Sequence, residues 1–540
     1  MKPLQLFPLV LHWIVGLVLA QSQSKSLVIS TTSGSFRGVS VPSNGTEKWL
    51  GIPFALPPVG PLRFKAPVPF KPDSSSDSTV KTAETFGNAC PQTPGTLGAP
   101  ISEDCLFLNV WRPQNTPSNA KLPVLVWIYV TFTFSWCLIA PFLSDTLREV
   151  NILLGKSLSD FRRPIYKTKN FFDLSAASVP MYDPTRIFQR AGLNGKPIIF
   201  VSMNYRINTF GFLASSLMEP QDLCAGLLDQ RLALEWVQDN IEAFGGDKEK
   251  VTIWGQSAGA GSTEAHLIYH TNRTLFRGAM GDSAVGPFKS SPPASTYDRP
   301  GLPFARLLQN TGCTAGPEAL DCLRSIPFET LLGISNSMID ATLNMQLWQP
   351  AIGPPGSFAD TRASIKIQNK DFLHIPYFGG TNLNEGTRFS VSVLGLELTG
   401  QAQDEAFINF IEHLVIDNSS LTSDVLDDIL RMWPADDPTL GGPFHTGDAL
   451  FDRASAWYGD EMFIAPRRLL FENAEGLQDI FAYWFQEFVP GENVTLGVAH
   501  ASELQLLFGP VPVTVEDEFA NQMLDFYINF INDLDPGGEL

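Results

Sequence analysis

Residues 250–262 read KVTIWGQSAGAGS, and this stretch decides the fold. KVTIWG is a short apolar, β-branched run that predicts a strand. AGSTEAHLIYH (260–270) is compatible with a helix. Between them lies Gly255-Gln256-Ser257-Ala258-Gly259. With 43 Gly in 540 residues, a G-x-S-x-G pattern arises by chance about 0.3 times in such a chain. The context therefore matters more than the pattern. A strand-to-helix turn this sharp crowds the backbone. Glycines on both flanks remove Cβ clashes and let Ser257 project above a sheet edge. The helix start beneath favours developing negative charge. The backbone N–H of Ala258 is placed to donate to an oxyanion. A Gly-rich turn with no chemistry is the plain alternative.

Strands and helices alternate around this turn. LFLNVWRP (106–113), PVLVWIY (123–129) and PIIFVSMNY (197–205) are nearly continuous in apolar residues and predict buried strands. Residues 225–247 carry helical spacing at Leu228, Leu232, Trp236 and Ile241, with Gly245-Gly246 as a stop. IPYFGGTN (375–382) and DIFAYWFQEF (479–488) predict further strands, with amphipathic helices around 404–432 and 461–474. This order implies βαβ units and a large, mostly parallel α/β sheet flanked by helices. Residues 25–70 alternate short β-prone runs with Gly and Pro turns and predict a small N-terminal antiparallel sheet.

A serine hydroxyl is a poor nucleophile until a base takes its proton, and the base needs a carboxylate to orient it. On this architecture the order is Ser, acid, His. His12 lies in the N-terminal apolar segment, and His266 and His270 follow the nucleophile directly. Of His413, His445 and His500, only His500 sits in a Gly-preceded loop just after a predicted strand. His413 falls within an amphipathic helix, and His445 follows Gly-Gly-Pro-Phe. Glu385, in YFGGTNLNEGTRF, lies just past another strand and is the candidate acid. His266 and His270 stand at i, i+4 like a metal pair, but no Glu lies between them and no third ligand is evident, so no metal is expected.

Acidic residues number 56 and basic residues 37, giving a net charge of −19. That excess argues against nucleic-acid partners and against an anionic membrane face. Residues 1–20, MKPLQLFPLVLHWIVGLVLA, have the charged start, apolar run and small-residue end of a secretory signal, which predicts an extracellular protein; an N-terminal membrane anchor is the alternative. Four sequons, at Asn44, Asn272, Asn418 and Asn493, agree with secretion. So do six cysteines, among them two short-range pairs, Cys90 with Cys105 and Cys313 with Cys322. Spacing alone leaves their connectivity open.

Several longer stretches carry a resemblance: GIPFALPPVGPLRF, SEDCLFLNVWRP, NYRINTFGFLAS, LLDQRLALEWVQDNIEAFGGD, VTIWGQSAGAGS, GGTNLNEGT and GVAHASELQLLFG. Together they resemble the type-B carboxylesterase/lipase family and its cholinesterase relatives, closest in tone to fungal secreted members. The likeness runs over most of residues 28–540. It implies a single α/β-hydrolase domain over 21–540, hydrolysis of carboxylic esters without a cofactor, and a small-molecule or lipid ester as substrate. It implies Ser257 as nucleophile, Glu385 as orienting acid, His500 as general base, and disulfides Cys90–Cys105 and Cys313–Cys322. In lipase members the loop closed by the first disulfide is an apolar-faced lid. Here that loop, PQTPGTLGAPISED (91–104), is rich in Pro and Gly with no amphipathic period, so a soluble carboxylesterase is expected over a lipase. A non-catalytic binding or adhesion relative on the same fold is the alternative, and predicts a lost triad.

The pattern breaks at residues 130–171. Family members carry a Gly-Gly-Gly-Phe run after the strand PVLVWIY, and two of those N–H groups complete the oxyanion hole. Here stand 42 other residues with six Lys/Arg, three Asp/Glu and one glycine, Gly155, before family sequence resumes at Phe172. A retained intron or gene-model error is the favoured reading. The others are a true insertion, or a membrane segment in the uncharged run Val124–Leu143. The oxyanion hole is thus expected to hold Ala258 without its glycine partners. GAMGDSAVG (278–286) also departs from the family's Gln-Ser-Gly, and the chain stops at DLDPGGEL, which reads as a shortened C-terminus.

Overall fold

A computed structural model describes residues 27–72, 79–129, 176–284, 291–511 and 517–538. The segments 1–20 and 130–171 lie outside the described residues. Among those described, twelve strands form two sheets. The strands are β1 (Val28–Thr31), β2 (Gly34–Arg37), β3 (Val39–Val41), β4 (Thr46–Pro53), β5 (Val80–Thr82), β6 (Phe107–Pro113), β7 (Leu122–Ile128), β8 (Ile199–Met203), β9 (Gly246–Gln256), β10 (Gly278–Asp282), β11 (Tyr377–Asn382) and β12 (Ile480–Phe485). The large sheet runs in the order β12-β11-β10-β9-β7-β8-β6-β4-β3. From β8 to β12 every pairing is parallel, while β6, β4 and β3 add antiparallel at one edge. The small N-terminal sheet is the antiparallel hairpin β1–β2, with β5 added in parallel on β2.

The helices that matter for the site are α1 (Thr185–Leu193), α2 (Ala225–Asn240), α3 (Ala258–Ile268), α4 (Gly400–Glu412), α5 (Ser423–Met432), α6 (Ala449–Gly459), α7 (Ala465–Ala474) and α8 (Asp517–Asp533). The amphipathic region at 404–432 is two helices, α4 and α5, rather than one. A single π-turn, Asp460–Ile464, joins α6 to α7.

The inner parallel strands β7, β8 and β11 are buried on both faces, which is why they read as apolar runs. β7 and β8 expose almost nothing along their lengths. Beneath the serine turn, Trp254 of β9 packs on Trp127 of β7 (ring centroids 4.4 Å) and stacks on Phe508 (5.3 Å). Rings at these separations add about 0.5–1.5 kcal/mol per pair beyond the area they bury. Helix α8 closes this side of the sheet. Arg190 and Asn194 meet Asp525, Arg186 meets Asn521, and Lys196 meets Asn529 and Asp533, one ladder at helical spacing between α1 and the segment after it and α8. Both disulfides are formed, Cys90–Cys105 and Cys313–Cys322, while Cys224 is free and buried. No described helix is long and apolar enough to cross a membrane. Val124–Ile128 of the uncharged run is interior strand.

Candidate active site

Ser257 sits between the last residue of β9 and the first of α3. Its backbone is at φ 56°, ψ −119°. A non-glycine residue held there stores roughly 1–3 kcal/mol of strain, which persists only where the surroundings over-determine it. They do so here. The Ser257 N–H donates to Asp282 O of β10 (2.8 Å), and Ser257 O accepts from Gly261 N–H (2.8 Å). The flanking glycines are sterically required. A Cβ on Gly255 would lie 2.3 Å from Gly259 C, and one on Gly259 would lie 2.1 Å from Ile128 O. Ala258 opens α3, so its N–H is among those a helix leaves unpaired at its start.

Glu385 and His500 arrive from the ends of neighbouring parallel strands. β11 ends at Asn382, and Glu385 follows in a turn whose Asn384 bridges to Ala499. His500 lies on the loop after β12. Its Nδ1 is 2.5 Å from Glu385 Oε2. A carboxylate only accepts, so Nδ1 carries the proton and Nε2 keeps a lone pair. Glu385 Oε1 accepts from Ser283 Oγ (2.5 Å) and from the Asn382 N–H (2.6 Å). These donors compensate a carboxylate that is 2 % exposed. Phe389 and Phe463 flank the His500 ring at 5.2 and 4.8 Å; the π-turn carries Phe463.

The structure thus joins His500 to Glu385 directly. It brings Ser257 to the same place through its neighbour, Gln256, whose Nε2 lies 3.3 Å from His500 Nε2. Ser257 Oγ is buried and makes no hydrogen bond to a described residue. Catalytic hydrogen bonds often tighten only with substrate bound. The other histidines lie elsewhere. His266 is buried against Gln230 (3.0 Å) and Phe358, and burial holds its pKa well below the ordinary value. His270 faces Asp371, His413 bonds Asn409 O (2.7 Å), and His445 pairs with Asp452.

Sequence reasoning flagged the 278–286 segment but assigned no role to four residues found here: Ser283, Asp282, Gln256 and Glu503. β10 reads GAMGD, too poor in β-formers to signal a strand. The contacts of Ser283 and Asp282 exist only because β10 lies between β9 and β11. Glu503 is fully buried and accepts from Asn382 Nδ2 (2.5 Å). Burial beside Asp282 and Glu385 pushes its carboxyl well above the usual range.

Comparison with known proteins decides the family. The model of the carboxylesterase family matches residues 25–135 and 169–539. The chain belongs to the carboxylesterase family. It is a carboxylic ester hydrolase with the α/β-hydrolase fold. Among carboxylesterase relatives, secreted lipase 1 of Botryotinia fuckeliana is 30 % identical over 529 residues, covering 91 % of this chain and 81 % of that one. Lipase 2 of Diutina rugosa is 30 % identical over 531 residues, covering 91 % and 84 %. The crystal structure of Aspergillus niger EstA superposes with a TM-score of 0.72 at 26 % identity, covering 94 % of this chain and 89 % of that one. The carboxylesterase match is interrupted over 136–168, inside the stretch that departs from the family pattern.

Proposed function

We propose that this carboxylesterase works through an acyl-enzyme on Ser257. Ser257 Oγ attacks the ester carbonyl carbon while His500 Nε2 takes the hydroxyl proton. The imidazolium keeps its Nδ1–H on Glu385 and gives the Nε2 proton to the departing alkoxide as the carbon–oxygen bond breaks. Water then repeats the sequence and frees the acid. Ala258 N–H receives the oxyanion at the start of α3. For His500 to serve Ser257, its Nε2 must exchange the Gln256 amide for the serine hydroxyl. The observation that carries this reading is the buried His500–Glu385 contact at 2.5 Å, one residue's reach from a strained serine.

Glu385→Gln tests it. The amide keeps the shape and removes the charge that fixes the imidazole tautomer, so kcat is expected to fall about 10³–10⁴-fold with KM nearly unchanged. A rate within threefold of the parent would refute the role of Glu385.

The substrate class we favour is a dissolved ester rather than a lipid droplet. The loop between Cys90 and Cys105 has no helix. It is tied down by Ser178 Oγ donating to Leu97 O (2.6 Å), by Asn336 Nδ2 donating to Gln92 O (3.3 Å), and by a bridge from Ala89 to Ile101. A loop so fastened makes a poor interfacial lid. Secretion is supported by the N-terminal apolar segment, by two disulfides and by relatives named as secreted. We further propose glycan acceptors at Asn44, Asn272, Asn418 and Asn493. Asn272 is exposed, whereas the Asn44 amide donates to Thr185 Oγ1 (3.0 Å), the exposed Asn418 amide is placed to donate to Glu412 O (2.9 Å) and Val415 O (2.7 Å), and Asn493 Oδ1 accepts from Thr495 N–H (3.0 Å).

A further inference from the structure

The carboxylate of Asp282, at the end of β10, is fully buried and is gripped by three side chains from three elements. Trp254 Nε1 of β9 donates to Oδ2 (2.7 Å); Tyr483 of β12 and Tyr527 of α8 donate their hydroxyls to Oδ1 (2.9 and 2.7 Å). The main chain of the same residue accepts the Ser257 N–H (2.8 Å). The next residue, Ser283, is held at φ 52° with its N–H on Gly380 O (2.8 Å), and its hydroxyl reaches Glu385 (2.5 Å). One strand end therefore touches the serine turn on one side and the acid on the other.

We propose that Asp282 is a positioning residue that locks the Ser257 turn to Glu385 and whose charge is felt by the His500–Glu385 pair. This rests on the catalytic reading given above. Three carboxyl groups, Asp282, Glu385 and Glu503, share this interior, and like charges so close do not all ionise together. Glu503 is the one most strongly held neutral. Burial lifts the Asp282 carboxyl to about 6, opposed by the donors from Tyr527, Trp254 and Tyr483, with Glu385 adding to the rise. The titratable groups facing it are Tyr483, Tyr527, Tyr377, Glu385 and Glu503. The arginines of this region, Arg388 and Arg467, feel Glu385. A folded pKa raised from 3.8 means that the Asp282 anion, which is felt by Glu385, is present above about pH 6 and is lost as pH falls through it. An anion there stabilises the imidazolium formed during attack.

The test follows the second-order rate of fluorophosphonate labelling of the full chain from pH 4.5 to 9. Asp282→Asn keeps the shape and removes the charge. It is expected to slow labelling about tenfold at pH 8 and to leave an acid limb with one ionisation in place of two. Tyr527→Phe removes one donor to the anion, so the acid limb is expected to move to higher pH in the parent and to stay put in the Asp282→Asn background. An unchanged limb and rate in folded Asp282→Asn overturns the proposal. So does a Tyr527→Phe shift that persists without Asp282. Should Asp282→Asn not fold by near-ultraviolet circular dichroism, Tyr527→Phe alone decides: a shifted limb supports the proposal and an unshifted one overturns it. Ser257→Ala and His500→Gln run alongside. Labelling retained in either refutes the catalytic reading itself, whereas labelling lost in both with an unmoved limb refutes only the role of Asp282.

Discussion

Ser257→Ala is expected to reduce p-nitrophenyl butyrate hydrolysis to the buffer rate, a loss of about 10⁴–10⁶-fold in kcat for a fully assembled site. The basis is the way Ser257 is held. Its backbone is strained at φ 56°, its N–H is anchored on β10, and its neighbour touches His500. His500→Ala is expected to cost about as much, and the double variant no more than either single one, because nucleophile and base act as a unit. Additive losses would mean that the two side chains serve separate steps. Hydrolysis surviving Ser257→Ala at more than a hundredth of the parent rate would mean that another group attacks.

The second large effect is a gain. Excising residues 130–171 and placing three glycines after Tyr129 is expected to raise kcat at least 10²–10³-fold, the worth of one recovered oxyanion donor. The geometry gives this position its leverage. A Cβ on Gly259 would come 2.1 Å from Ile128 O and 2.9 Å from Tyr129 O, so the chain leaves β7 in contact with the start of α3. The last described residues here, Ile128 and Tyr129, thus lie against the helix that begins at Ala258. The family resemblance implies glycine N–H donors directly after this strand, whereas here Val130-Thr131-Phe132, β-branched or bulky, follow. Steady-state kinetics on both forms reads the effect directly. Equal kcat values would show that the stretch does not displace the donors.

Much of this was legible in the sequence. Several parallel strands announced themselves because burial on both faces demands apolar runs, and β7, β8 and β11 fall where those runs lie; the edge strand β12 is also apolar in sequence though only partly buried. The serine turn was legible because glycine at 255 and 259 is the only residue that clears the contacts found there. Glu385 and His500 were found by chain order and by standing just past a strand, and the structure joins them. Other features left no local trace. β9 starts at Gly246, which pairs with Leu122 of β7, and the charged residues 247–250 form an irregularity before pairing resumes at Val251. β10 is a strand by its neighbours rather than by its own GAMGD. The contacts of Gln256, Ser283 and Phe463 with the His500–Glu385 pair link residues more than 30 positions apart, and only the fold brings them together.

The most direct measurement is to label the intact chain with a fluorophosphonate and locate the adduct by peptide mass spectrometry. A single adduct on Ser257, absent after Glu385→Gln or His500→Ala at matched times, is the expected result. An adduct on another residue, or equal labelling of Ser257 without His500, would contradict a site in which these three side chains work together.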